Sequence, residues 1–233
     1  MINDKKIICI IPARGGSKSI KKKNIVPLHG KPLLTYTIQA ALDSRLFNYL
    51  IVSTEDKEIS KIARNAGALI HDRVKELSRD DVGVIQVCLN IIETYEKKGL
   101  VFDYICILLP TSPLRTSEDI KKAFEKLKKS NANGIIGVTD YEIPPFWALK
   151  EKNGYVSPYF GQKYMVRRQN LPEVFVDNGA IYIYKIDIFK KEKKWFCSKL
   201  IHYKMPREKS IDIDEIFDLK LAEFILSGNY TEE

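Results

Sequence analysis

Lys6 to Asn24, K-I-I-C-I-I-P-A-R-G-G-S-K-S-I-K-K-K-N, limits the fold of this chain more than any other stretch. Ile7-Ile8-Cys9-Ile10-Ile11 is apolar throughout, β-branched at four of its five places, and shows no alternation. A run of that kind reads as a parallel strand buried on both faces. Pro12 stops it, and Arg14, Gly15, Gly16, Ser17 and Lys18 follow in a loop. Two glycines allow a close backbone approach that a Cβ would forbid. Their N–H groups, a serine hydroxyl and flanking cations suit a phosphate cradle. The same residues also suit a tight strand-to-helix turn edged by solvated lysines, and spacing alone leaves both readings open.

The elements after this loop repeat one order. Pro32 to Ser44 has apolar residues at helical spacing, Leu46 to Thr54 reads as a second strand, and Asp56 to Asn65 as a helix stopped at Gly67. A helix from about Val84 to Lys97, a buried strand Asp103–Leu109, a helix from Ser117 to Lys129 and a strand Gly134–Thr139 follow. This order predicts βαβ units and an α/β fold, a mostly parallel open sheet flanked by helices. Ligands of such a sheet belong at the carboxyl ends of its strands, where the loops at Arg14 and Ser53-Thr54 both fall.

Residues 141–186 change character. Tyr141, Phe146, Trp147, Tyr155, Tyr159, Phe160 and Tyr164 crowd a stretch rich in proline with no helical period. It reads as a small β-rich insertion, and exposed aromatics of that kind mark a partner surface. Residues 1–140 and 187–233 then form the main domain. Asn178-Gly179 marks a turn before the alternating run Ala180 to Tyr184. In Ser210-Ile211-Asp212-Ile213-Asp214, alternation points both aspartates to one side. Two carboxylates on one face near a phosphate loop suit a hard divalent cation such as Mg²⁺. They equally suit a strand end at which Asp214 caps the last helix, Glu215 to Leu226.

The net charge of +8 raises a nucleic-acid binder as another class. The lysines, however, are scattered along helices among glutamates, and aromatics do not interleave with them as a stacking platform needs. A positive excess better serves to attract small anions. No apolar run approaches the ~18 residues of a membrane span, and the first strand is short for a secretion signal. Cys9, Cys88, Cys106 and Cys197 are widely spaced, which fits reduced thiols in the cytoplasm.

I-I-P-A-R-G-G-S-K-S-I-K-K-K-N-I resembles the opening signature of the acylneuraminate cytidylyltransferases, which make CMP-activated sialic acids. Pro110-Thr111-Ser112-Pro113-Leu114-Arg115, Arg168-Gln169-Asn170-Leu171-Pro172, Asn178-Gly179-Ala180-Ile181-Tyr182-Ile183 and Ser210-Ile211-Asp212-Ile213-Asp214 match later signatures in order, over roughly residues 6 to 226. The resemblance implies a Rossmann-like nucleotidyltransferase fold, with the insertion making a homodimer. It implies that Arg14, Lys18, Lys23 and Asn24 hold the triphosphate and ribose of CTP, helped by Gly15, Gly16, Ser17 and Arg73. It implies Mg²⁺ on Asp212 and Asp214, with Arg14, Lys23 and Asp214 carrying the catalysis. Its sugar acid would meet Leu109, Thr111, Ser112, Arg115, Asn178, Trp195 and Phe196, with Arg168 reaching into the neighbour's site. The chain departs from the pattern in four places. Ser19 stands where the family often has glycine, and Pro145-Phe146-Trp147 where it often has a lysine. Asp80 to Val84 lacks the family's serine-rich segment, and Leu109 stands where members that use N-acetylneuraminate commonly have glutamine.

Overall fold

In the computed structural model, which describes residues 5–17, 19–79 and 82–228, the alternation of elements builds one seven-stranded sheet. The elements in chain order are β1 (Ile7–Pro12), β2 (Pro27–Leu28), β3 (Lys31–Pro32), α1 (Leu33–Ser44), β4 (Tyr49–Thr54), α2 (Lys57–Asn65) and β5 (Leu69–Asp72). After them come α3 (Val84–Glu96), β6 (Tyr104–Ile107), α4 (Ser117–Lys128), β7 (Gly134–Asp140), β8 (Leu149–Lys152) and β9 (Tyr155–Pro158). The chain closes with β10 (Phe175–Lys185), α5 (Ile186–Glu192), β11 (Leu200–Lys204) and α6 (Ile216–Leu226). The sheet runs β11-β7-β10-β6-β1-β4-β5, and every pairing is parallel except those of β10.

β1 shows why its run has no alternation. Ile7, Cys9 and Ile11 pack into the layer under α1, α2 and α4, while Ile8 and Ile10 pack into the layer under α3 and α5. Both faces are covered, so both sets of side chains must be apolar. A third, smaller cluster lies at the sheet's carboxyl end, where Ile20, Leu28, Leu33, Leu114, Ile213 and Ala222 close on one another. Helix starts follow local rules: Asp56 accepts from the Glu58 and Ile59 N–H groups at 2.7 and 3.1 Å, and Thr116 forms a capping box with Asp119.

Three expectations change. Leu46 to Asn48 lead into β4 as a loop, with the Asn48 side chain accepting from Ile7 N–H at 2.7 Å. Residues 175–185, read as part of the insertion, are β10 in the middle of the sheet, so the projecting segment runs from 141 to 174. Asn178-Gly179, read as a turn before a strand, lies inside β10, where the β10–β7 register shifts between Asp177 and Tyr182, a bulge with Gly179 at φ +67°. The 141–174 segment carries the β8–β9 hairpin, and Tyr155, Val156, Tyr159 and Ile143 on it are exposed.

Ile10 is fully buried between β4 and β6. Ile10→Ala leaves a cavity that the sheet cannot close, and urea unfolding should show a loss of about 2–5 kcal/mol with an unchanged slope.

Candidate active site

A cleft of about 370 Å³ opens at the carboxyl ends of β1, β5 and β6. One wall is the loop after β1, with Arg14, Gly16, Ser17, Lys23 and Asn24; the floor is Leu109, Pro110 and Thr111; the far wall is Arg73, Arg79, Val82, Gly83, Val84 and Val87. Lys18 and the Asp80–Asp81 pair lie outside the described residues.

The loop after β1 is docked on the start of α2. Gly15 N–H donates to Glu55 Oε1 at 2.7 Å, and Lys22 is paired with Glu58. A Cβ on Gly15 would stand 2.8 Å from Asp56 Oδ2, so the glycine is required by this protein contact. The Gly15 N–H assigned to a phosphate therefore meets a carboxylate of its own chain, while Gly16 and Ser17 face the cleft. Asn24 Nδ2 donates to the Arg14 carbonyl at 2.8 Å and ties the two ends of the loop together.

The acidic motif comes in from the other side. Ile213 N–H donates to the Thr111 carbonyl at 2.8 Å, and the fully buried Ile213 side chain joins Ile20 in the third cluster. Asp214 Oδ1 then meets Lys23 Nζ at 2.9 Å. Asp212 stands at the rim with its carboxyl turned in towards the Thr111 hydroxyl. Burial chiefly, and then the Asp214 charge, raise it above the ordinary carboxylate range, while Thr111 and Lys23 pull it back. Residues 211–214 form no strand, and α6 is capped by Glu215 with Asp218, so the Asp214 side chain is free of the capping role.

Ser112, Arg115 and Asn178, expected at the sugar, lie inside the protein. Ser112 is fully buried and donates to the Asn178 carbonyl at 3.3 Å. Arg115, 2% exposed, donates to the carbonyls of Ser112 and Leu109 and to Thr37 Oγ1. Burial pulls its guanidinium down to about 10, which leaves it charged at neutral pH. Asn178 Nδ2 donates to Ser210 Oγ at 2.9 Å and to Met205 Sδ. Together these side chains brace the 109–115 loop against the β10 bulge and the approach to the acidic motif. At the bulge, Gly179 lies among Ser112, Asp212 and Leu109, with a Cβ there 3.3 Å from Ser112 Oγ. Tyr182 donates to Asp177 at 2.9 Å across the bulge and packs its ring 4.4 Å from that of Trp195. Trp195 is thus an edge of the core and Phe196 is turned to solvent. Arg168 donates to the Tyr141 and Glu142 carbonyls at the base of the insertion.

Leu109 and Thr111 do line the cleft, as do Arg14, Lys23, Asn24 and Arg73. The sequence reading missed Arg79, Val87 and the bracing role of Glu55. A charged residue beside the Asp56 cap was the only signal for Glu55. Arg79 belongs to no pattern that a sequence taken alone would single out.

The profile of a family described as Cytidylyltransferase matches residues 8–229 of this chain. A pseudaminic acid cytidylyltransferase of Campylobacter jejuni subsp. jejuni serotype O:2 is 34% identical over 227 residues, covering 97% of this chain and 98% of that protein. An N-acylneuraminate cytidylyltransferase of Streptococcus agalactiae serotype III is 34% identical over 90% of this chain, which spans 50% of that longer protein. A CMP-N,N'-diacetyllegionaminic acid synthase of Legionella pneumophila is 30% identical, covering 96% of this chain and 97% of that one. Among solved structures, a CMP:2-keto-3-deoxy-manno-octonic acid synthetase complexed with CTP shares the fold, at a TM-score of 0.69 and 14% identity over 97% of this chain and 100% of that one.

Arg14→Ala and Lys23→Ala should each lose turnover by about 10²-fold or more, since removing a preorganised charge contact to a phosphoryl centre has that effect. Steady-state kinetics on folded variants, checked by circular dichroism, measures it. Near-wild-type turnover in both would remove the loop after β1 from the reaction.

Proposed function

This chain belongs to the cytidylyltransferase family, and we propose that it transfers CMP from CTP to the anomeric hydroxyl of a sialic-acid-like nonulosonic acid, releasing pyrophosphate. The observation that carries the reading is the pairing of Lys23, which lines the cleft, with Asp214, 191 positions away. Phosphate-loop cations and an acidic motif share a site when a polyanion and a cation are handled together. The anomeric hydroxyl attacks the α-phosphorus in line; its O–P bond forms as the bond to the pyrophosphate oxygen breaks, and the hydroxyl proton is lost. Arg14, Lys18 and Lys23 offset charge on the triphosphate and the departing pyrophosphate, while Asn24 keeps Arg14 in place. Such a centre needs positioning and charge stabilisation rather than a protein nucleophile.

The donor set at the acidic motif suits Mg²⁺: two carboxylates, close enough that the charge of Asp214 raises Asp212, with open positions left for phosphate oxygens and water. Asp212 and Asp214 would hold it, and it would supply further charge neutralisation at the phosphates. The insertion supports a homodimer, because Ile143, Leu149, Tyr155 and Val156 are each more than half exposed on one projecting segment. In that dimer Arg168 would serve the neighbouring cleft. The four cysteines are free and buried, which supports a reducing, cytoplasmic setting. Among the described residues, no helix is long and apolar enough to cross a membrane.

A second reading of the sugar rests on Leu109. It lines the cleft beside Thr111, within van der Waals reach of where a Gly179 Cβ would stand, and offers no hydrogen bond. With Val82, Val84 and Val87 opposite, the cleft is better matched to a deoxy, diacylamino nonulosonic acid than to N-acetylneuraminate. Relatives named for pseudaminic and diacetyllegionaminic acid are in keeping with this.

Pyrophosphate release from the four nucleoside triphosphates, each offered N-acetylneuraminate, diacetyllegionaminate and pseudaminate, tests both readings. CTP alone should turn over, only with a sugar acid present, and kcat/KM should favour a diacylamino sugar. A preference for N-acetylneuraminate that is unchanged in Leu109→Gln would separate this position from selectivity. Asp214→Asn should retain CTP binding while losing most turnover, with partial recovery in excess Mg²⁺ or Mn²⁺; a variant indifferent to both ions would exclude the metal role.

A further inference from the structure

We propose that Ser53 and His71 form a positioning pair that fixes the Arg73 guanidinium at the cleft wall, an inference that rests on Arg73 being a contact to the anionic nucleotide. Arg73 is 8% exposed and lines both the cleft and a second cavity behind it. Among the described residues it makes no ion pair. Its side chain donates, among those residues, only to Ser53, through Nε–H to Ser53 Oγ at 3.2 Å and Nη2–H to the Ser53 carbonyl at 2.9 Å. The Glu55 carboxylate acts on the guanidinium through its charge, but the hydrogen bonds that orient it come from neutral dipoles and leave its charge available to an incoming anion.

Ser53 depends in turn on His71. The two are register partners on the parallel strands β4 and β5, with Ser53 Oγ 3.2 Å from His71 Nδ1. Arg73 has donors only, so Ser53 Oγ must accept from Nε–H. Ser53 is fully buried, and its own hydroxyl proton has His71 Nδ1 as its acceptor. His71 is thereby set as the neutral imidazole with its proton on Nε2. Burial, and then the charge of Arg73, hold it below the ordinary histidine range, against the opposing pull of Asp72. The chain Nε–H to Oγ–H to Nδ1 runs one way, and each link fixes the next. Losing the last acceptor frees the Ser53 hydroxyl to rotate, and the guanidinium loses its fixed acceptor.

Steady-state kinetics with CTP varied, on Arg73→Ala, Ser53→Ala, His71→Leu and His71→Asn, tests the pair. Ser53→Ala and His71→Leu should each raise KM for CTP about tenfold with kcat within about threefold, the pattern of lost binding rather than lost chemistry. His71→Asn places an amide oxygen where Nδ1 stood and should stay within about threefold of the unchanged enzyme; a merely structural role for the ring would not be rescued in this way. ¹⁵N chemical shifts of His71 should report the Nε2–H tautomer. If Arg73→Ala raises KM while Ser53→Ala and His71→Leu do not, or if Nδ1 carries the proton, the positioning role is overturned and the nucleotide reading stands. If Arg73→Ala itself leaves KM unchanged, the nucleotide contact on which the inference rests is overturned.

Discussion

Burial of Ile213 is the interaction on which the site depends. Ile20 from the loop after β1, Leu28 and Leu33 from the β2–β3 turn and α1, Leu114 from the loop after β6, and Ala222 from α6 all close around it. Apart from the β2–β3 turn and α1, which are consecutive, these segments come from separate parts of the chain. One shared apolar cluster brings them to a common point, and the polar residues beside each member then face one another. Lys23 lies three residues beyond Ile20, Thr111 three before Leu114, and Asp212 and Asp214 flank Ile213. The hydrophobic effect has no direction of its own, so the Ile213 N–H to Thr111 bond supplies the register the cluster lacks.

Around that point the charges fall into two groups. Arg115 and Asn178 are sealed inside and spend their donors on carbonyls and side chains of neighbouring loops. Lys23 and Asp214 are left where a ligand can compete for them, with Asp214 well exposed and Lys23 only at its tip. Sealed polar groups make a rigid frame because each unmet donor or acceptor would be costly. Lys23 and Asp214 pair with each other at 2.9 Å beside this frame, which holds the pair in place.

Much of this was legible in the chain. The unalternating run of β1 and the succession of strands and helices gave their places correctly, because each depends on short-range spacing, whereas the alternation read for residues 210–214 builds no strand. What stayed hidden depended on which side chain meets which. Arg115 and Ser112 sit in a motif that points to a ligand, yet they face inward because the bulge at Gly179 offers the Asn178 carbonyl to Ser112 and the turn at 109–112 offers its carbonyls to Arg115. Asn-Gly reads as a turn ahead of a strand from composition; the sheet instead absorbs it as a bulge within β10, which pairs with β6 on one side and β7 on the other. Gly15 likewise looked like a ligand glycine, and its real constraint, the Asp56 side chain, comes from another strand end.

The insertion leaves and re-enters the sheet at partnered positions, Asp140 opposite Phe175 at the mouth of the antiparallel β7–β10 pair. Topologically it is the tip of an overgrown hairpin whose stem is the domain's own sheet. The stem is zipped by its ladder whatever the tip contains, and the entropy of closing a longer tip grows only logarithmically with its length. A chain built this way can exchange or enlarge its tip over evolutionary time while the sheet keeps its geometry. Variation in the projecting segment is thus mechanically separated from the pairing that holds the strand ends in place.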